Sequence, residues 1–316
     1  MIPWLLACKG EPAAATGESA APVDTGVPVP EGDPATIALE GTCPDETRYG
    51  RFTVESNPEY AAVSGSALDG VVPQTILTEV ETEGECTMWR RENPYCSETC
   101  ASDQTCDFDG TCVAYPRSAD LGAVTVGGLT SPVRMEPAVP GYLYTVSDLD
   151  NPPFTAGELV ELRTSEADFA AVTAHGLGVE EVVLGASDWE LVPGDAYAMA
   201  WTAPSDGARS ALHVEVNIDQ HGNTPINLVC DMVDDGAGEL PAAILESTVA
   251  AGVSGYPNAR VARRTADQAE LGDGCLEFLV QSVVLPGVTV EGYHACSSAA
   301  DCPPGMSCNT EIELCE

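Results

Sequence analysis

Thirteen cysteines in 316 residues constrain this chain more than any other feature. They stand at positions 8, 43, 86, 96, 100, 106, 112, 230, 275, 296, 302, 308 and 315. Two clusters are dense: Cys96-x3-Cys100-x5-Cys106-x5-Cys112 and Cys296-x5-Cys302-x5-Cys308-x6-Cys315. Segments this short cannot enclose a hydrophobic core, so covalent cross-links must take its place. Asp109-Gly110 in the first and Pro303-Pro304-Gly305 in the second supply turns. Each cluster reads as a four-cysteine module with two bridges, and interleaved pairing, first to third and second to fourth, is the expectation. Zinc is the rival reading. Zinc sites favour Cys-x2–4-Cys pairs, and only Cys96-x3-Cys100 has that spacing. Outside the clusters, Cys43 with Cys86 is expected to close a small N-terminal unit. Cys230 with Cys275 is expected to close a 46-residue loop, worth roughly 4 kcal/mol by chain entropy.

Setting Cys8 aside leaves twelve cysteines, an even number that six disulfides consume. Disulfides persist in oxidising compartments, so the chain is expected to be exported. Cys8 carries a separate reading. Leu5-Leu6-Ala7-Cys8 resembles a lipobox, in which the cysteine is lipidated and becomes the mature N-terminus. No basic region precedes it, and an apolar signal core alone takes about 7–15 residues. Residues 1–8 are therefore read as the end of a longer signal peptide. Residue 9 is Lys, not the Asp that retains such proteins in the inner membrane, so the likeness implies the outer membrane, on its periplasmic or outer side. Residues 9–37 hold five Pro and four Gly, and no aromatic residue occurs between Trp4 and Tyr49. Such a segment buries too little apolar surface to offset its ordering entropy, and reads as a disordered tether between anchor and head.

Twelve Lys and Arg against 50 Asp and Glu give a formal charge of −38. That balance excludes a nucleic-acid binder, which needs basic clusters to neutralise phosphate. The 44% hydrophobic content still fills a core. From residue 38 the texture is strand and turn. Arg51–Glu55 and Tyr60–Val63 are short strand candidates, and 73–81 reads as one or two helical turns. Beyond Pro116, strands are expected at 121–129, 142–147, 157–163, 180–185, 196–202, 211–219, 226–232, 258–264 and 276–284. Tyr197, Met199 and Trp201 share one strand face, and Val214, Val216 and Ile218 oppose His213, Glu215, Asn217 and Asp219. Period-2 alternation of this kind places one face in a core and one in water. One helix is expected, with Pro241 in its first turn and Gly252 past its end. The fold class is therefore mainly β: an antiparallel β-sandwich (117–291), a small disulfide-rich N-terminal unit (38–116), a C-terminal cysteine module (292–316) and few short helices.

Catalytic signatures are absent. The sequence has no Gly-x-Ser-x-Gly elbow, His-Glu-x-x-His, phosphate-binding loop or dinucleotide fingerprint, and Lys9 is its only lysine. The chain is read as non-catalytic, with a hydrolase whose site assembles in space as the least favoured alternative. The best polar constellation is His213, Glu215, Asn217 and Asp219 with His221 just beyond. Imidazole and carboxylates on one face suit a divalent metal, but a solvated strand face is the preferred reading. Asp231, Asp234, Asp235 and Glu239 crowd the turn at Gly236, where calcium is the only cofactor suggested. An acidic loop is preferred there too, as it is at Asp107-x-Asp109-Gly110.

The order of short motifs resembles a group of predicted cell-envelope lipoproteins of unknown function from high-GC Gram-negative bacteria. The likeness rests on Leu68-Asp69-Gly70-Val71-Val72-Pro73, Gly84-Glu85-Cys86 and Cys106-Asp107-Phe108-Asp109-Gly110-Thr111-Cys112-Val113. It continues through Asp219-Gln220-His221-Gly222, Gly252-Val253-Ser254-Gly255-Tyr256-Pro257, Gly272-Asp273-Gly274-Cys275 and Asp301-Cys302-Pro303. The resemblance implies export and lipidation at Cys8, with no activity attached. The expected partners are the lipid bilayer, through the acyl anchor, and a protein or glycan at the cell surface. The expected role is a structural or adhesive head, with a carbohydrate- or calcium-dependent binding module as the alternative.

Overall fold

The computed structural model describes residues 26–205, 207–219 and 225–316. Cys8, His221 and the tether up to residue 25 lie outside the described residues. The chain first forms β1 (Arg48–Ser56), β2 (Ala61–Ala67), β3 (Leu77–Glu83) and β4 (Cys86–Arg91). A small hairpin of β5 (Gln104–Cys106) and β6 (Cys112–Ala114) carries the first cysteine module. Next come β7 (Val124–Gly127), β8 (Val133–Met135), β9 (Tyr144–Val146), β10 (Leu159–Thr164) and β11 (Thr173–Leu177). They are followed by β12 (Asp188–Leu191), β13 (Tyr197–Ala200), β14 (Ala211–Asn217), β15 (Ile226–Val233) and β16 (Ala237–Leu240). Helix α1 (Ala242–Ala251) leads into β17 (Asn258–Leu271), β18 (Gly274–Val284) and β19 (Gly287–Val290). The second module closes with β20 (Cys308–Asn309) and β21 (Leu314–Cys315).

The fold is mainly β, as the alternation predicts. A large sheet runs β3-β4-β15-β14-β17-β18-β1-β2-β9, with β19 joining β17 and β12 joining β19. A second sheet, β11-β10-β7-β8, packs beside it. The large sheet is mixed rather than purely antiparallel, because β1 runs parallel to β18 and β12 parallel to β19. Alternation reports which face is buried, not the direction of the neighbour, so it could not distinguish these cases. The division expected at residue 116 does not interrupt the sheet, since β4 pairs with β15 and β1 with β18 across it.

Two cores back one face of the large sheet. Leu212, Val214, Val216, Leu228 and Val261 cluster with Trp189, Trp201 and the α1 residues Ile244, Leu245 and Val249. Phe52, Val54, Phe278 and Val280 cluster with Val124, Val126, Val160 and Leu162 of the second sheet. Where 73–81 reads as helical, only Pro73–Thr75 turns, and Leu77–Glu83 is a strand against β4. The stretch 180–185 forms no strand beyond a single bridge from Leu184 to Trp201, although Val182 is buried in the core. Pro241 stands at the N-cap of α1, one residue before its expected place, and Gly252 follows the helix with φ of 130°.

Six disulfides join all twelve described cysteines. Both modules are interleaved, Cys96–Cys106 with Cys100–Cys112 and Cys296–Cys308 with Cys302–Cys315. The other two pairings correct the expectation. Cys86 bonds Cys230, not Cys43, and Cys275 bonds Cys43, not Cys230. The reason is register: β4 lies antiparallel to β15 with Cys86 directly opposite Cys230, at a Cα–Cα distance of 4.0 Å.

The segment expected as a free tether is held against the body over its described last part. Three buried carboxylates each accept a backbone N–H, one from it and two from the residues that follow it up to Cys43. Glu161 takes that of Glu31 (3.3 Å), Asp267 that of Glu40 (2.8 Å) and Glu277 that of Cys43 (3.1 Å). Arg209 adds a bond to the Pro34 carbonyl at 3.0 Å. Gly127 permits the approach, since a Cβ there would stand 2.6 Å from the Pro28 carbonyl oxygen. Composition alone misread this strap because its anchors are backbone amides, which every residue but proline carries.

Candidate functional site

The face of the large sheet turned away from both cores is the candidate site. Alternation fixes which side chains reach it: Arg51 and Glu55 from β1, His213 and Glu215 from β14, Asp231 from β15, Arg260 and Arg264 from β17, and Glu277 and Gln281 from β18. Together they floor a groove of about 870 Å³. Trp89 of β4 and Tyr60, just before β2, line it toward its two ends. The segment from Thr42 to Glu46 forms part of its wall, held there by the Cys43–Cys275 bridge.

The floor is polar, and its charged side chains are paired with one another. His213 is buried, with Nδ1 2.8 Å from Asp231 Oδ1 and Nε2 2.8 Å from Glu215 Oε1. Both carboxylates accept from the ring at once only in its imidazolium form. Arg264 donates to Asp231 (2.9 Å), and Arg260 donates to Glu55 (2.9 Å). Arg51 donates to Glu277, a fully buried carboxylate. Tyr60 Oη and Gln281 Nε2 donate to the two oxygens of Glu55, at 2.8 and 2.9 Å. The hydrogen bond from His213 holds the Glu215 carboxyl below its ordinary range. Burial pushes Asp231 upward, but His213 and Arg264 outweigh it and the net direction is down. Burial lowers the Arg264 guanidinium, and the bond to Glu55 raises the Tyr60 phenol. Gln281 is 2% exposed, and its Oε1 meets no hydrogen-bond partner among the described residues.

Only part of the sequence-derived constellation meets here. His213, Glu215 and Asp231 come together in the groove, Asp231 joining from the neighbouring strand opposite His213. Asp219 is buried elsewhere and accepts a bond from the Ser254 hydroxyl. Asp234 lies on the opposite face, gripped by Arg263 (2.7 and 3.0 Å) and bonded by Trp201 and Ser210. Asp235 is exposed and accepts from the Ala237 N–H. The acidic turn around Gly236 is thus divided between two faces and solvent. The sulfurs of Cys96, Cys100 and Cys112, and of Cys296, Cys302 and Cys315, lie within 4.8 Å of one another. All six are in disulfides, which leaves no thiolate to hold a metal.

Sequence reasoning passed over Arg51, Glu55, Arg260, Arg264, Glu277 and Gln281. Their signal was available: Glu277 and Gln281 stand four apart, on one face of the mostly apolar β18, and Arg260 and Arg264 stand four apart on one face of β17. A polar residue that recurs on one face of a strand marks that face as wet or as networked. A comparison with protein-family models and one with curated proteins find no match to this chain.

Proposed function

We propose that this chain is the non-catalytic, adhesive head of an exported envelope protein, anchored in the outer membrane by acyl chains on Cys8. The observation that carries the reading is the use of twelve cysteines in six disulfides, which leaves Cys8 as the cysteine over. A scaffold so cross-linked suits an oxidising compartment. The floor of the groove argues for binding over catalysis, because its arginines and its histidine are engaged by carboxylates. The likeness to predicted envelope lipoproteins points the same way.

The test is fractionation of cells expressing the wild type and Cys8→Ser, with the intact mass of the membrane-extracted protein. The expected result is an N-terminus at Cys8 with added acyl mass in the wild type and release of Cys8→Ser to the soluble fraction. A Cys8→Ser protein that stays with the membrane overturns the anchor. Thiol alkylation without reduction at any of the other twelve cysteines overturns the oxidised compartment.

A further inference from the structure

We infer that the groove across the open sheet face binds a neutral oligosaccharide, laid across the strands from Trp89 toward Tyr60. The inference rests on the reading of the chain as a binding head and names its site and ligand class.

Charge decides the class first. Arg51 is matched by Glu277, Arg260 by Glu55, Arg264 by Asp231, and His213 by Glu215 and Asp231. An anionic ligand would have to draw one of these arginines away from its carboxylate to find a partner. An anionic polymer would also meet the field of a chain with a formal charge of −38. A neutral ligand rich in hydroxyls meets neither obstacle. Each hydroxyl both donates and accepts, so it bonds to the remaining lone pairs of paired carboxylates without displacing an arginine.

Gln281 supplies the second, independent reason. Its Nε2 donates to Glu55, which fixes the carboxamide and leaves Oε1 as an acceptor without a partner among the described residues. A buried acceptor left unpaired costs about 1–3 kcal/mol. The cost is recovered when a donor arrives, and a sugar hydroxyl, directly or through one water, is a donor without charge. Arg264 and Glu55 flank Gln281 in register on the neighbouring strands, so the orphan acceptor sits within the fixed polar array.

Shape supplies the third. Trp89 and Tyr60 are partly exposed, and an aromatic ring with a polar edge suits the apolar face of a sugar ring whose rim is hydroxylated. From β4 to β1 the sheet takes five steps, about 24 Å at the usual strand spacing. That span is several sugar rings long, which favours an oligomer over a monosaccharide. A floor whose polar groups are already held by one another also binds a ligand at little ordering cost.

The test uses the full oxidised chain against immobilised hexamers of glucose, galactose and mannose in α and β linkage. A hexuronate and an oligolysine peptide serve as charged probes. The expected result is binding to at least one neutral hexamer, weakened tenfold or more by Trp89→Ala and by Gln281→Leu. Trp89→Ala alters a half-exposed position and carries the test if Gln281→Leu fails to fold. Three results overturn the inference: no neutral hexamer bound, binding unchanged in Trp89→Ala, or preference for the hexuronate or the peptide. The fractionation of Cys8→Ser is independent of these arms. Release of Cys8→Ser together with no glycan binding sinks the ligand while leaving the anchored head in place.

Discussion

Arg263 shows how one residue organises a face of this molecule. It is 1% exposed, on the core side of β17, while its neighbours Arg260 and Arg264 face the groove. Its guanidinium grips Asp234 with two bonds and donates to the Glu181 and Thr202 carbonyls. Removing one partner of such a pair strands a buried charge. Arg263→Ala is therefore expected to lower the unfolding free energy by about 3–5 kcal/mol, measured by denaturant titration. The double change Arg263→Met with Asp234→Leu removes both charges and should recover part of that loss. The carboxylates also set an acid limit. Glu215, Asp231 and Asp234 all titrate lower in the folded chain than ordinary carboxyls. The unfolded chain then binds more protons, so stability is held above the ordinary carboxyl range near pH 4 and lost as pH falls through the lower folded values. Melting temperature measured from pH 7 down to pH 2 should drop below about pH 4. Asp234→Asn should flatten part of that drop.

At the scale of elements, the strap from Pro28 to Cys43 makes the sharpest test. Gly128 has φ of +80°, and a Cβ there would stand 2.0 Å from the Leu159 carbonyl oxygen and 3.1 Å from Pro30. Gly157 has the same φ with nothing within 4 Å. Gly128→Ala should destabilise by about 2–4 kcal/mol and speed hydrogen exchange at the Glu31 amide, while Gly157→Ala should cost only about 1–2 kcal/mol of backbone strain. Equal losses in the two variants would mean that Leu159 does not crowd Gly128, and unchanged exchange at the Glu31 amide would mean that the strap is not packed as described. Legibility follows the same division. Ala211–Asn217 is readable because apolar and polar residues alternate along it, and Gly274–Val284 because its apolar run is long. Short strands such as Val133–Met135 and Gly287–Val290 offer too few positions for a period to register. His213 and Glu215 were legible as a polar face, but Asp231 was read with Asp234 and Asp235 as one acidic turn. Sequence adjacency suggested that grouping, and strand pairing undid it by sending Asp231 to the groove and Asp234 to the core.

The whole molecule is held by two kinds of cross-link, and they are expected to fail differently. Cys43–Cys275 and Cys86–Cys230 join positions 232 and 144 residues apart, and each ties the N-terminal strands or strap to the large sheet. By chain entropy each such closure contributes about 5 kcal/mol, against about 3 kcal/mol for the 13-residue separation of Cys302–Cys315. Size of loop is only half of the difference. Cys86 and Cys230 are fully buried in the core that also holds Trp201 and α1, so the sheet around them keeps its apolar packing when the bond is gone. The C-terminal module has two-residue strands, and the Gly255 N–H reaches its Ile312 carbonyl at 2.7 Å from the body. Without its bridges it has little else to fold around. Cys86→Ala with Cys230→Ala should therefore lower the single global transition by several kcal/mol and leave the native fold intact below it, seen as a shifted but cooperative denaturant curve. Cys302→Ala with Cys315→Ala should leave that transition nearly in place. It should instead open residues beyond about 292 to limited proteolysis under native conditions. A module variant that moved the global midpoint as far as the core variant would show that the second cysteine cluster belongs to the same cooperative unit as the sheet.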